Sequence, residues 1–228
     1  MARRNGRLTA LIIDHGLSPE SADEAEQVKK WLVERSVDCK ILCAELPLEI
    51  SSVQETARSA RYDLMGKWCF AEGVLHLFIA HHSEDQAETL LLNLTRGSGV
   101  DGLAGMAVIS ERPQYRILRP LLGISKVRLE CTLAEYGQKF IKDPSNESRK
   151  FKRVRIREAM SGLAREGATV VRLTTTAQRM SHARNFLEDS SICLLAGAAG
   201  IYPEGYARLD FARLSASPAE ISRRSLAR

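Results

Sequence analysis

The sequence predicts an α/β fold in which a parallel sheet is covered by helices, followed by a basic, mainly helical appendage. Three observations carry this. Short apolar runs at Leu8–Ile13, Lys40–Leu46 and Val74–Ala80 have the length and continuity of strands buried on both faces. Between them, apolar residues recur at three- and four-residue spacing, the pattern of amphipathic helices. Charge is also uneven: residues 1–148 carry 18 Lys and Arg against 21 Asp and Glu, whereas residues 149–228 carry 15 against 7.

Each element follows in order. Strand Leu8–Ile13 leads to a helix from about Pro19, started by Ser18-Pro19 and carrying Val28, Trp31 and Leu32 inward. After the strand Lys40–Leu46, Ser52 opens a helix whose buried stripe is Val53, Ala57, Ala60 and Leu64. Arg58, Arg61 and Tyr62 share a different face, with Glu55 one turn before Arg58 as an ion-pair partner. Strand Val74–Ala80 runs into a helix capped by Ser83, with Gln86 completing a capping box. Ala87, Leu90, Leu91 and Leu94 form its buried stripe, which places Asp85, Glu88 and Thr89 on the open side. A short strand near Tyr115–Leu118 and a helix Ser125–Tyr136 complete the alternation. A long helix from Thr169 to Leu195 belongs to the appendage, and Pro218–Arg228 begins one more.

Composition narrows the classes. A chain of 228 residues suffices for one sizeable core and a small second unit, and 44% hydrophobic with 27% charged residues is ordinary for a globular protein. The five cysteines, Cys39, Cys43, Cys69, Cys131 and Cys193, include no Cys-x-x-Cys pair. Neither a zinc ribbon nor a disulfide framework is indicated. The first apolar run is too short for a signal peptide or a membrane span, so the expectation is a cytoplasmic protein with no membrane partner.

Chemistry concentrates in Ala80–Gly105. His81 and His82 stand where a strand hands over to a helix, the edge at which open α/β sheets bind ligands. A solvated loop with acids at a helix start is the plainer explanation. The following Arg96-Gly97-Ser98-Gly99 turn, with backbone N–H groups able to cradle an anion, favours a site. Downstream, Arg149–Arg157 holds six basic residues in nine positions. With Val154, Ile156 and Met160 inward, its arginines line the opposite surface, as phosphate-backbone binding requires.

Taken together, Asp14-His15-Gly16-Leu17, Glu55 to Tyr62, His81 to Thr89, Arg96 to Gly99, Arg119 to Leu122, and Asp143-Pro144-Ser145-Asn146 followed by Arg153, Arg155 and Arg157 resemble the tRNA(Ile)-lysidine synthetases of the N-type ATP pyrophosphatase superfamily. The resemblance covers Leu8 to Met160. It implies a Rossmann-like domain that uses ATP with Mg²⁺ to adenylate the C2 oxygen of the wobble cytidine in tRNA(Ile) bearing a CAU anticodon. The ε-amino group of free L-lysine then displaces AMP. By the same resemblance Ile13, His15, Arg58, Arg96 and Gly97 contact ATP, and Asp85 and Glu88 hold the lysine ammonium or take its proton. His81 or His82 serves either step, and Arg153 steadies charge growing on the α-phosphate. Arg61, Lys152, Arg155 and Arg157 contact tRNA. Val154 stands where the family motif often has Asn, so that position offers no polar contact.

One departure outweighs the matches. The superfamily grips phosphates with a Ser-Gly-Gly-x-Asp-Ser loop after its first strand, and this sequence has no adjacent glycine pair. The resemblance therefore implies an ATP pyrophosphatase domain over 1–148 that lacks its first strand, the loop and the loop's Mg²⁺-contacting Asp, so no metal-holding residue is named. Residues 149–228 form the tRNA-contacting start of a further domain. Open strand edges and a core gap are expected, with association into a homodimer as one consequence, and no ATP-dependent turnover by the chain alone. Two alternatives stand beside this. The tRNA-thiolating pyrophosphatases are the first, those of the thiocytidine type usually carrying Cys-x-x-Cys pairs; a non-catalytic tRNA-binding remnant is the second.

Overall fold

The computed structural model describes residues 8–14, 16, 20–43, 53–141, 149 and 152–228, with side chains in the helix from residue 53 described from residue 59. They divide into two compact units. One is drawn from Met1–Ile79, Ile109–Leu118 and Glu130–Pro144, the other from Ala80–Val108, Arg119–Leu129 and Ser145–Arg228. The units interleave along the chain.

In the first unit, β1 (Thr9–Asp14) pairs in parallel with β2 (Asp38–Cys43), Thr9 opposite Asp38 and Asp14 opposite Cys43. Parallel neighbours need a long crossover, and α1 (Ser21–Glu34) supplies it, with Asp23 and Glu24 in its first turn where acids suit the helix dipole. The predicted Ser18-Pro19 start and the end of the Lys40–Leu46 strand lie outside the described residues.

Helix α2 (Val53–Ala71) turns a different face inward from the predicted one. Met65 and Cys69 are buried with Tyr62 and Trp68 beside them, whereas Ala60 and Leu64 are only half-buried. Both stripes keep a helical period, so periodicity alone leaves the choice open. Packing decides it: Tyr115 lies against Gly66, and its hydroxyl donates to the Tyr62 carbonyl at 3.3 Å. The larger side chains at 62, 65, 68 and 69 then close the core.

Strand β3 (His76–Phe78) is shorter than its apolar run. It pairs in parallel with β5 (Arg116–Leu118), against whose other edge runs antiparallel β4 (Ile109–Glu111), a strand the sequence pattern did not reveal. The sheet therefore comes in two pieces, β1-β2 and β3-β5-β4. Both pieces nonetheless serve one core, because Leu11 and Ile13 of β1 pack with Leu77, Tyr115 and Ile117.

The second unit is helical. Helix α3 (Ser83–Leu94) precedes the short α4 (Val100–Leu103); α5 (Lys126–Glu135), which matches its predicted span, starts in this unit and continues in the first from Glu130. Then come α6 (Lys152–Arg165) and the long α7 (Val170–Ala198), the latter capped by the Thr169 side chain. A hairpin of β6 (Ala199–Ile201) and β7 (Ala207–Leu209) and the helices α8 (Phe211–Ala216) and α9 (Ala219–Leu226) close the chain. Ala87, Leu90 and Leu91 of α3 form a core with Met160 of α6 and Leu173 and Ala177 of α7. This contact is why the motif helix groups with the C-terminal helices. Leu94, predicted in the stripe, is 54% exposed because it falls on the last residue of α3. Helix α9 docks on α7, where Ser225 Oγ donates to the Ser191 carbonyl at 3.0 Å.

A Cβ at Gly66 would lie 2.8 Å from Tyr115 Cε1. Gly66→Ala is expected to destabilise the chain, because overpacking costs about 1–3 kcal/mol and the better helix propensity of Ala returns about 1. Urea denaturation of the two proteins should show a lower midpoint for the variant at an unchanged slope.

Candidate active site

The start of α3 is built from its own first turn. His82 is the capping residue, and its backbone N–H donates to Asp85 Oδ2 at 3.0 Å. The predicted cap, Ser83, is instead the first helical residue, and its hydroxyl donates to Glu84 Oε2 at 3.0 Å. Gln86, expected in the capping box, is buried and reaches along the chain: its Nε2 donates to the Met106 carbonyl at 2.9 Å and its Oε1 accepts from the Met106 N–H at 2.8 Å. A short aspartate three residues after His82 closes the box more directly than Gln86 could from the next position.

Glu84 organises this end. Besides Ser83, its Oε2 accepts from His82 Nδ1 at 2.9 Å and from the Lys126 backbone N–H at 2.9 Å, tying α5 to α3. Burial disfavours the charged form, but these hydrogen bonds and the nearby imidazole together hold the carboxyl below the usual glutamate range. The other ring nitrogen of His82, Nε2, lies 3.4 Å from Asp85 Oδ2, so the imidazole sits between two carboxylates.

His81 is held differently. The buried Arg119 donates from Nε to His81 Nδ1 at 3.2 Å and from its NH1 to the Ala107 carbonyl at 2.8 Å. A guanidinium can only donate, so in this arrangement Nδ1 is the bare nitrogen and the ring proton is on Nε2. His81 thus offers a donor, while His82 faces acids. The sequence left the two equivalent; Glu84 and Arg119, which separate them, were not singled out as organisers. Their signals were slight: one acid in a first turn, one arginine in Arg-Pro-Leu-Leu.

Glu88 departs most from expectation. Predicted on the open side, it is 1% exposed, and its Oε1 accepts from Arg157 Nε at 2.7 Å. Its Oε2 is buried with no hydrogen-bond partner. Arg157, predicted to face tRNA, is an exposed residue that reaches Glu88 from the stripe it shares with the buried Val154 and Met160, three residues away on either side. The hydrogen bond to Glu88 raises its pKa against partial desolvation, and the charges of Glu88 and Asp85 act in the same direction. Asp85, Glu88 and Arg157 thus form one electrostatic cluster.

In the glycine turn, three of the backbone N–H groups predicted to cradle an anion are engaged in ending α3. The N–H groups of Arg96, Gly97 and Ser98 bond the carbonyls of Asn93, Leu94 and Asn93, each at 3.0 Å, closing the end of α3, with Gly97 at φ +71 in the left-handed conformation that such an end requires. The Arg96 side chain in this turn is exposed. On α6, Arg153 is half-buried while Lys152 and Arg155 are exposed, and Arg155 NH1 donates to the Arg149 carbonyl at 2.9 Å. Ile13 and the exposed Arg61 belong to the first unit, where Ile13 packs on the core. His15, Asp143, Ser145, Asn146 and the Arg58 side chain lie outside the described residues. Among the described residues no three His, Cys, Asp or Glu side chains converge as a metal site, and no helix is long and apolar enough to cross a membrane.

The chain belongs to the PP-loop domain family, whose model matches residues 1–163. It is similar to the tRNA(Ile)-lysidine synthase of Rhodopseudomonas palustris, 40% identical over 85% of this chain and 57% of that protein. The enzymes of the same name from the Wolbachia of Brugia malayi and from Methylobacterium nodulans are 35% and 37% identical, each over 95% of this chain and over 51% and 64% of theirs. The chain spans little more than half the length of these curated relatives. In fold it is similar to a U34-tRNA thiolase from Methanococcus maripaludis, with a TM-score of 0.65 at 19% identity, over 78% of this chain and 64% of that one.

Two outcomes test the cluster. A lowered carboxyl pKa contributes stability that is present above the ordinary glutamate value and lost as pH falls through the folded one. The melting-temperature gap between wild type and Glu84→Gln should therefore be full at neutral pH and close below about pH 4. Arg157→Met strands a buried carboxylate and should cost about 2–3 kcal/mol, less than for a fully buried pair because the guanidinium keeps water contact. Adding Glu88→Gln to it should recover part of that loss in a double-mutant cycle of urea midpoints.

Proposed function

We propose that this chain carries the lysine-accepting chemistry of a tRNA(Ile)-lysidine synthase: ATP-dependent joining of lysine to C2 of the wobble cytidine. The observation that supports this reading best is the orphaned Glu88 Oε2 beside Asp85. Two carboxylates facing one guanidinium leave a net negative charge and a buried acceptor in want of a donor. An ammonium group, compact and with three N–H bonds, answers both needs. Lysine must lose a proton before its amine attacks, and Asp85, only partly buried and beside His82, is the base in this reading. His81, held at Nδ1 by Arg119, donates to an oxygen of the activated nucleotide in this reading. Arg153, for which no ion pair is found among the described residues, steadies the α-phosphate. Lys152 and Arg155 meet the tRNA backbone. Mg²⁺ would ride on the ATP phosphates with water and at most one or two protein carboxylates.

Residues 1–228 contain no Ser-Gly-Gly-x-Asp-Ser sequence, so in this reading the chain alone turns over ATP at background rate. The measurement is lysine-dependent AMP release and radiolabelled lysine incorporation into tRNA(Ile) with a CAU anticodon. It is made on this chain and on the chain joined at its N-terminus to a strand and loop carrying a Ser-Gly-Gly-x-Asp-Ser segment. The joined form should be active, and Asp85→Asn should lower its turnover by about 100-fold or more with tRNA binding intact. Incorporation of sulfur instead of lysine would assign the thiolase reading, and AMP release by the unextended chain would overturn the need for the loop.

A further inference from the structure

We propose that Arg157 sets specificity for the α-carboxylate of the amino-acid co-substrate, which it binds through the two terminal amino groups of its guanidinium. The inference rests on the ligase reading and deepens it, since it concerns the part of free lysine that does not react. Arg157 meets Glu88 through Nε, 2.7 Å from Oε1, and its side chain is 48% exposed. Among the described residues neither of its terminal amino groups has a hydrogen-bond partner. Glu88, 1% exposed, is thus an anchor that fixes one edge of the guanidinium and leaves four of its five N–H donors unclaimed. A planar fork held in this way matches a carboxylate with two parallel N–H bonds, and less of its freedom remains to be lost on binding.

Charge pattern selects among anions. Asp85 and Glu88 stand one turn apart on α3, and the charges of both act on Arg157. These three side chains make two negative charges and one positive. A nucleotide phosphate, itself multiply negative, is opposed by the two acids. Free lysine near neutral pH carries the inverse pattern, two ammonium groups and one carboxylate. Its α-ammonium answers Glu88 Oε2, which is buried without a partner, and its α-carboxylate takes the Arg157 fork next to it. The ε-amine then extends to Asp85, the base of the ligase reading. Side chains three apart on a helix lie roughly 5–6 Å from one another at Cβ, a gap that the four methylenes of lysine span. Two acids alone would accept any small diamine; the guanidinium between them and solvent adds a demand that only an amino acid meets.

Calorimetric binding to the whole chain tests this without turnover. The probes are L-lysine, cadaverine, which is lysine without its carboxylate, and AMP. L-lysine should bind about tenfold or more tightly than cadaverine, as the loss of charge-assisted hydrogen bonds implies. Arg157→Lys keeps a cation for Glu88 but no fork. It should weaken L-lysine by about tenfold and leave cadaverine within about twofold. The comparison of the two ligands on the unaltered chain stands whether or not the variant folds. The proposal is overturned, with the ligase reading intact, if L-lysine and cadaverine bind the unaltered chain equally, or if Arg157→Lys weakens both alike, which would make Arg157 only a support for Glu88. It is also overturned if Arg157→Lys weakens AMP and spares L-lysine, which would make phosphate the anion. If neither L-lysine nor cadaverine binds at millimolar concentration, the ligase reading falls and this inference with it.

Discussion

Burial of the Glu88 carboxylate is the constraint around which the helical unit is arranged. A carboxylate removed from water needs a cation at hydrogen-bonding distance, and in this unit the cation is Arg157. That requirement sets the rotation of α6: Val154, Arg157 and Met160 turn toward α3 and α7, and Lys152 and Arg155 turn to solvent. The basic block is thereby divided. One arginine, itself still exposed to water, reaches from the surface to the buried Glu88, and the rest form a charged surface suited to phosphate. The same burial leaves one carboxylate oxygen without a donor, which keeps a polar demand open beside the partly accessible Asp85.

The two histidines show how neighbours assign roles that residue type leaves equal. His81 is addressed by a guanidinium, which can only donate, and His82 by two carboxylates, which accept. Arg119 and Glu84 do this while also fixing the chain around them, one through the Ala107 carbonyl and the other through the Lys126 N–H. Chemistry and architecture thus share the same side chains. Substitutions at Glu84 or Arg119 would disturb geometry before they disturbed charge.

In the first unit the governing fact is that one core underlies two separate sheets. Leu11 and Ile13 on one piece and Leu77 and Ile117 on the other bury against the same side chains of α2. Hydrophobic packing therefore holds the pieces in one body although among the described residues no backbone ladder joins them.

The alternation of strands and helices, the long capped helix from Thr169, the inward Val154 and Met160, and the family were all legible in the sequence. Each depends on spacing or on residue identity in order, which a linear chain records. The inward face of α2, the exposure of Leu94, the strand β4 and the burial of Glu88 were not. They were decided by what packs opposite: Tyr115 on Gly66, the end of α3 at Leu94, β5 beside a short polar segment, and Arg157 on Glu88. Periodicity says that a helix has two faces, and only its neighbours determine which one loses water.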